Sequence, residues 1–117
     1  MGNMLDIKKG IIDVVLDTDT YNEIDDQFAL AYMLRSKEKF NLKAVYAAPF
    51  FNDRSTGPKD GMEKSYAEID KIMRLTGESV VSFRGADAFL TDEKTPVVSD
   101  AVKEKIFAGN AKRLLGL

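Results

Sequence analysis

The sequence predicts an α/β fold: a parallel, Rossmann-like open sheet with helical crossovers. Two observations lead there. Short apolar, β-branched runs alternate with longer segments of helical periodicity, in the order strand, helix, strand, helix, strand, helix. The first such run, "IIDVVL" (Ile11 to Leu16), is almost continuously apolar, as a strand buried on both faces should be. Successive strands joined through helices run parallel, with right-handed crossovers.

The elements follow in order. After the first strand, Phe28, Leu30, Ala31, Met33 and Leu34 form a broad apolar stripe on a helix running from Asp26 to about Lys37, with Gln27, Arg35 and Lys37 free to face water. "LKAVYAA" (Leu42 to Ala48) is the second strand. "PFFNDRSTGPKDG" is rich in turn formers and too long for a bare connector. Met62, Tyr66, Ile69 and Met73 recur at helical spacing on a second helix, Met62 to Thr76, which Gly77 is suited to stop. "SVVSF" (Ser79 to Phe83) is the third strand, and Ser99 is the N-cap of a last helix, "DAVKEKIF". Three parallel strands leave two open edges, so the sheet is expected to be an incomplete part of a larger fold.

Composition narrows the function. At 117 residues the chain makes one small domain, and a formal charge of −2 offers no attraction for nucleic acid or an anionic membrane. No apolar run is long enough to span a bilayer, and "MGNMLDIKKG" has neither the apolar core of a secretion signal nor a myristoylation pattern. The absence of cysteine rules out disulfides and thiolate metal sites and points to the cytoplasm. The absence of histidine removes the commonest general base and zinc ligand. Chemistry must therefore run on carboxylates, hydroxyls, amides, lysine or a hard cation.

The carboxylates are concentrated. Four aspartates and Glu23 fall between Asp17 and Asp26, in "DTDTYNEIDD". Asp17 and Asp19 lie where the first strand ends, Asp25 and Asp26 where the first helix begins. In open α/β folds that carboxyl-end edge is where ligands bind. Carboxylates crowded there repel unless some stay protonated or a divalent cation lies between them. The structural alternatives are that Asp25 or Asp26 caps the helix, that Glu23 is a solvated loop residue, and that Asp17 anchors the loop. An EF-hand fits poorly, because Tyr21, Asn22 and Phe28 stand where that loop needs an oxygen ligand, a glycine and its bidentate glutamate.

A buried strand running into Asp17-Thr18-Asp19, the spacer "TYNEI", then Asp25-Asp26-Gln27-Phe28-Ala29-Leu30 resembles the N-terminus of the inosine–uridine-preferring nucleoside hydrolases. "LKAVYAAPFFN" stands where that family has its second strand and an asparagine-bearing loop. The resemblance implies hydrolysis of the N-glycosidic bond of ribonucleosides to ribose and free base. It implies a Ca²⁺ (Mg²⁺ being the less suited ion) that binds a water and the ribose 2′- and 3′-hydroxyls. It makes Asp19 and Asp26 metal ligands, Asp19 and Asp25 the catalytic carboxylates, Asp25 and Asn52 the ribose contacts, and Asp17 a support behind the ligands. Carboxylates beside a developing oxocarbenium-like ribosyl cation suit such a cleavage.

The sequence departs from the family in three respects. "TYNEI" is longer than the "PGL"-type spacer, Asn52 can equally be a turn residue, and family chains are several-fold longer. The remainder carries further ligands, base contacts and, in some members, a histidine acid. This sequence is thus expected to be the N-terminal segment, turning over little or nothing alone and holding Ca²⁺ weakly, below its ~6–8 oxygen ligands. Two other readings compete. In a haloacid-dehalogenase-like phosphatase Asp17 is the nucleophile and Asp19 the acid/base with Mg²⁺, but Tyr21 replaces the usual Thr. In a non-enzymatic domain that binds a cation or a partner, or forms a homo-oligomer, Phe50, Phe51 and "LLGL" (Leu114 to Leu117) are the contact candidates. Arg84 and Asp87 are expected to anchor a loop.

Overall fold

The computed structural model describes residues 9–91. Its elements are β1 (Ile12–Thr18), α1 (Ile24–Arg35), β2 (Phe40–Ala47), α2 (Pro58–Thr76) and β3 (Ser82–Arg84). The strands form one parallel sheet in the order β1-β2-β3. The α/β class, the open parallel sheet and the helical crossovers are therefore as expected. The last helix with its Ser99 cap, and "LLGL", lie outside the described residues.

The sheet grows in one direction by crossovers of one hand, so both helices lie on one face. There Leu30 and Leu34 of α1 and Met62, Ile69 and Met73 of α2 pack on Val45 and Ala47 of β2. Ala44 and Tyr46 form a smaller cluster with Val15 and Phe83 on the opposite face. A register shift sets Val14 opposite Leu42 but Val15 opposite Ala44, leaving Lys43 as an extra residue. The bulge lets Leu42 and Val45, three residues apart, both reach the helix-side core.

Several boundaries differ from those expected. α1 begins at Ile24, two residues early, so Asp25 and Asp26 stand in its first turn and neither is its cap. Glu23 holds the cap position in extended conformation without a capping side chain. In the first turn the two carboxylates complement the positive end of the helix dipole. Phe28 does not join the core: it is 69% exposed, while Leu30 and Leu34 are buried. Apolar residues surround α1, so periodicity alone could not say which of them meet the sheet.

α2 begins at Pro58, inside the segment expected to be loop. A proline is at home in the first helical turn because its missing N–H has no partner there. The helix ends at Gly77, whose φ of 71° is left-handed, with its N–H directed to the Arg74 carbonyl at 3.3 Å. β3 is shorter than expected and shifted to Ser82–Arg84. Val80 is drawn towards the helix-side core instead, its N–H meeting the Met73 sulfur at 3.3 Å. Phe50 is buried and Phe51 exposed. Arg84 ends β3 rather than lying in a loop. It binds both carboxylate oxygens of Glu63 at 2.9 Å and sits 4.1 Å over the Tyr66 ring, tying the sheet edge to α2. Among the described residues no helix is long and apolar enough to cross a membrane.

Candidate functional site

Parallel pairing aligns Thr18 of β1 with Ala47 of β2, and Ala47 with Arg84 of β3. All three strands thus end at one edge, and α1 starts there. Strand alternation turns Thr18 towards the helices and Asp17 away from them. Thr18 is buried, and its hydroxyl donates to the Asp26 carboxylate at 2.6 Å while lying 3.0 Å from the hydroxyl of the fully buried Thr20. This short bond fixes the first turn of α1 to the end of β1.

Asp19 and Asp26 meet at this junction. Burial raises the Asp19 carboxyl above its ordinary value, an amide hydrogen bond from Asn22 pulls it back, and the adjoining Asp26 carboxylate raises it further. That amide lies 2.8 Å from Asp19 Oδ2. The Asn22 side-chain oxygen in turn accepts from the Asn52 amide, and the Asn22 backbone carbonyl accepts from the Arg54 guanidinium. Asn52 is itself a turn residue, its Oδ1 accepting the Arg54 N–H at 2.8 Å. The turn role is realised, and the amide still reaches the carboxylate site through Asn22.

Asp25 is exposed on the wall of an open cleft of about 890 Å³, together with Tyr21, Asn22, Asn52 and Arg54. Another cavity, of about 520 Å³, lies at the far end of the strands between Ile11, Phe40 and Glu78, away from the carboxylates. Asp17 stands apart from the Asp19–Asp26 pair. Burial alone raises its carboxyl, and its register partner on β2 is Tyr46. The Tyr46 hydroxyl is raised by burial and then by the Asp17 charge. Among the described residues no three acidic side chains cluster closely enough to hold a metal ion. Asp19 and Asp26 supply two carboxylates, hard oxygen donors of the right kind for Ca²⁺, and the remaining ligands would have to be water or other groups.

The sequence pattern singled out Asp17, Asp19, Asp25, Asp26 and Asn52 but missed Thr18, Asn22 and Arg54. Thr18 could have been found from strand alternation, since it shares a face with Leu16, which packs against the helix-side core. Nothing in the sequence marks Asn22 and Arg54, whose roles come from a loop packed against a loop.

A carboxyl raised in the folded state binds its proton more tightly than in the unfolded chain. The resulting stabilisation is complete below the unfolded pKa and is lost as pH rises through the folded one. At neutral pH the charged Asp19 therefore weakens the metal-free fold. Asp19→Asn should raise the urea midpoint at pH 7 in chelator-treated buffer, and the gain should shrink on acidification towards pH 4. Asp60, lowered first by the Thr56 N–H, works in the opposite sense, so the readout is the mutant-minus-wild-type difference across pH. A lower midpoint for Asp19→Asn at pH 7 would contradict this account.

Set against known proteins, the chain matches no protein-family model, no curated protein and no solved structure.

Proposed function

We propose that this chain carries the cation- and ribose-facing part of an N-glycosidic hydrolase site acting on ribonucleosides, as its resemblance to the nucleoside hydrolases implies. The observation that supports it best is the contact between Asp19 and Asp26 at the carboxyl edge of the sheet, where the Asp26 carboxylate disfavours charge on Asp19. A fold gains nothing from such a pair in isolation, whereas a hard cation between them removes the repulsion.

Ca²⁺, whose coordination tolerates the irregular geometry of a loop better than that of Mg²⁺, would when bound supply Lewis acidity to a water and hold vicinal hydroxyls. Asp19, its carboxyl raised first by burial, accepts the proton of the attacking water. Asp26 is kept in place by the Thr18 hydroxyl and would hold the cation together with Asp19. Asp25 and the Asn52 amide, both on the cleft wall, bind ribose hydroxyls. Asp17 supports the strand end from the opposite face. Two carboxylates are too few to complete a Ca²⁺ shell, so turnover is small unless further ligands are supplied.

Calorimetric titration of the chain with Ca²⁺, with and without saturating ribose, tests this reading. Wild type should bind Ca²⁺ and bind it more tightly with ribose present. Asp19→Asn and Asp26→Asn should each weaken binding by more than about tenfold. Heats equal to buffer dilution in the wild type, or an affinity indifferent to both substitutions, would refute the site.

A further inference from the structure

We propose that the groove between α1 and α2 is the interface of a two-fold symmetric dimer of this chain, each Phe28 seated in the partner's groove. The outer surface of the helix layer is unusually apolar. Ile24 and Phe28 of α1 are 67% and 69% exposed, and Leu75 of α2 is 73% exposed. These three, with Ala31 and Ile72, line a single groove of about 260 Å³. Isolated exposed apolar residues are ordinary, but a contiguous set lining one groove marks an interaction surface.

The charges at its two ends identify the occupant. The helices run parallel. Gln27 donates to Glu68 at 2.9 Å at one end of the groove, and Arg35 donates to the Thr76 carbonyl at 2.8 Å at the other. One end therefore carries the Glu68 carboxylate and the other the Arg35 guanidinium, separated by the eight residues from Gln27 to Arg35, roughly 12 Å along the helix. A two-fold axis through the middle of the groove lays α1 antiparallel to its copy. It brings each Glu68 to the partner's Arg35 and opposes the helix dipoles favourably. About that axis, centred near Ala31, each Phe28 comes level with the partner's Leu75, inside the groove that Leu75 and Ile72 line. Knob, groove and opposite charges all belong to one surface, as a self-complementary interface requires.

The footprint is small. A 12-residue α1 is about 18 Å long, and the helix pair is about 20 Å across. That places the dimer among weak, reversible associations.

Sedimentation velocity of the full chain over a wide concentration range is the test. Wild type should pass from monomer to dimer and stop at two, since a two-fold interface closes. Phe28→Asp, at a position exposed in the monomer, should weaken association by about thirtyfold or more. Its unchanged circular dichroism would show that the fold survives. Glu68→Arg and Arg35→Glu should each weaken the dimer, and the double reversal should restore it. Monomer at every concentration, assembly beyond two copies, a dimer indifferent to Phe28→Asp, or failure of the double reversal to rescue would each overturn the proposal.

Discussion

Gly61→Ala should destabilise the fold by about 3 kcal/mol, at the upper end of the cost of overfilling a packed site. Gly61 lies within α2, where a glycine normally costs helix stability and alanine would be the better helix former. The sign reverses here because α2 crosses directly over the chain at Phe50. A Cβ on Gly61 would fall on the Phe50 carbonyl oxygen and come within 2.9 Å of its carbonyl carbon and ring. Backbone cannot step aside as a flexible side chain can, so either α2 lifts off the sheet or the Phe50 segment moves. Gly57→Ala is the control. At that position the backbone is extended and an added Cβ meets nothing within 4 Å. Urea unfolding should show a large fall in midpoint for Gly61→Ala and a change within about 0.5 kcal/mol for Gly57→Ala. Equal effects would mean that the approach of α2 to Phe50 does not limit packing.

Ile69→Ala should cost about 2–5 kcal/mol, the sum of the lost transfer free energy and the cavity left behind. Ile69 has no exposed surface and lies in the cluster where both helices meet β2. With helices on one face of a three-stranded sheet, few neighbours are free to collapse into the space. Phe28→Ala, by contrast, removes a larger side chain but one already mostly in water. In dilute solution it should change stability by no more than about 0.5 kcal/mol. Denaturation curves of the two variants at low protein concentration decide the matter. A larger loss for Phe28→Ala than for Ile69→Ala would place the core on the wrong side of α1.

That contrast also shows how far the sequence could be read. On α2 the spacing of Met62, Tyr66, Ile69 and Met73 identified the core-facing side correctly, with Leu75 left as an exposed apolar residue outside it. On α1 apolar residues occur all round, and only the contact with the sheet distinguishes Leu30 and Leu34 from Phe28. The start of α2 was hidden by "GPKDG", which suits a turn as well as the first helical turn that Pro58 in fact opens. β3 shifted because Val80 contributes more by packing under α2 than by pairing, a choice local propensity cannot express.

By itself the sequence determined the alternation of strands and helices, hence parallel strands, one-handed crossovers and a shared carboxyl edge. With that edge it determined that the aspartates flanking "TYNEI" would come close, since a strand end and the following helix start cannot be far apart. Which carboxylates actually meet was decided by tertiary structure. The pleat of β1 turns Asp17 towards Tyr46, the Thr18 hydroxyl draws Asp26 to the strand end, and Asn22 links Asp19 to Asn52 and Arg54 across two loops. The links from Asp17 to Tyr46 and from Asn22 to Asn52 and Arg54 join segments distant in the chain, and the nearer ones, Thr18 to Asp26 and Asn22 to Asp19, depend on side-chain direction, which no pattern of residue types encodes.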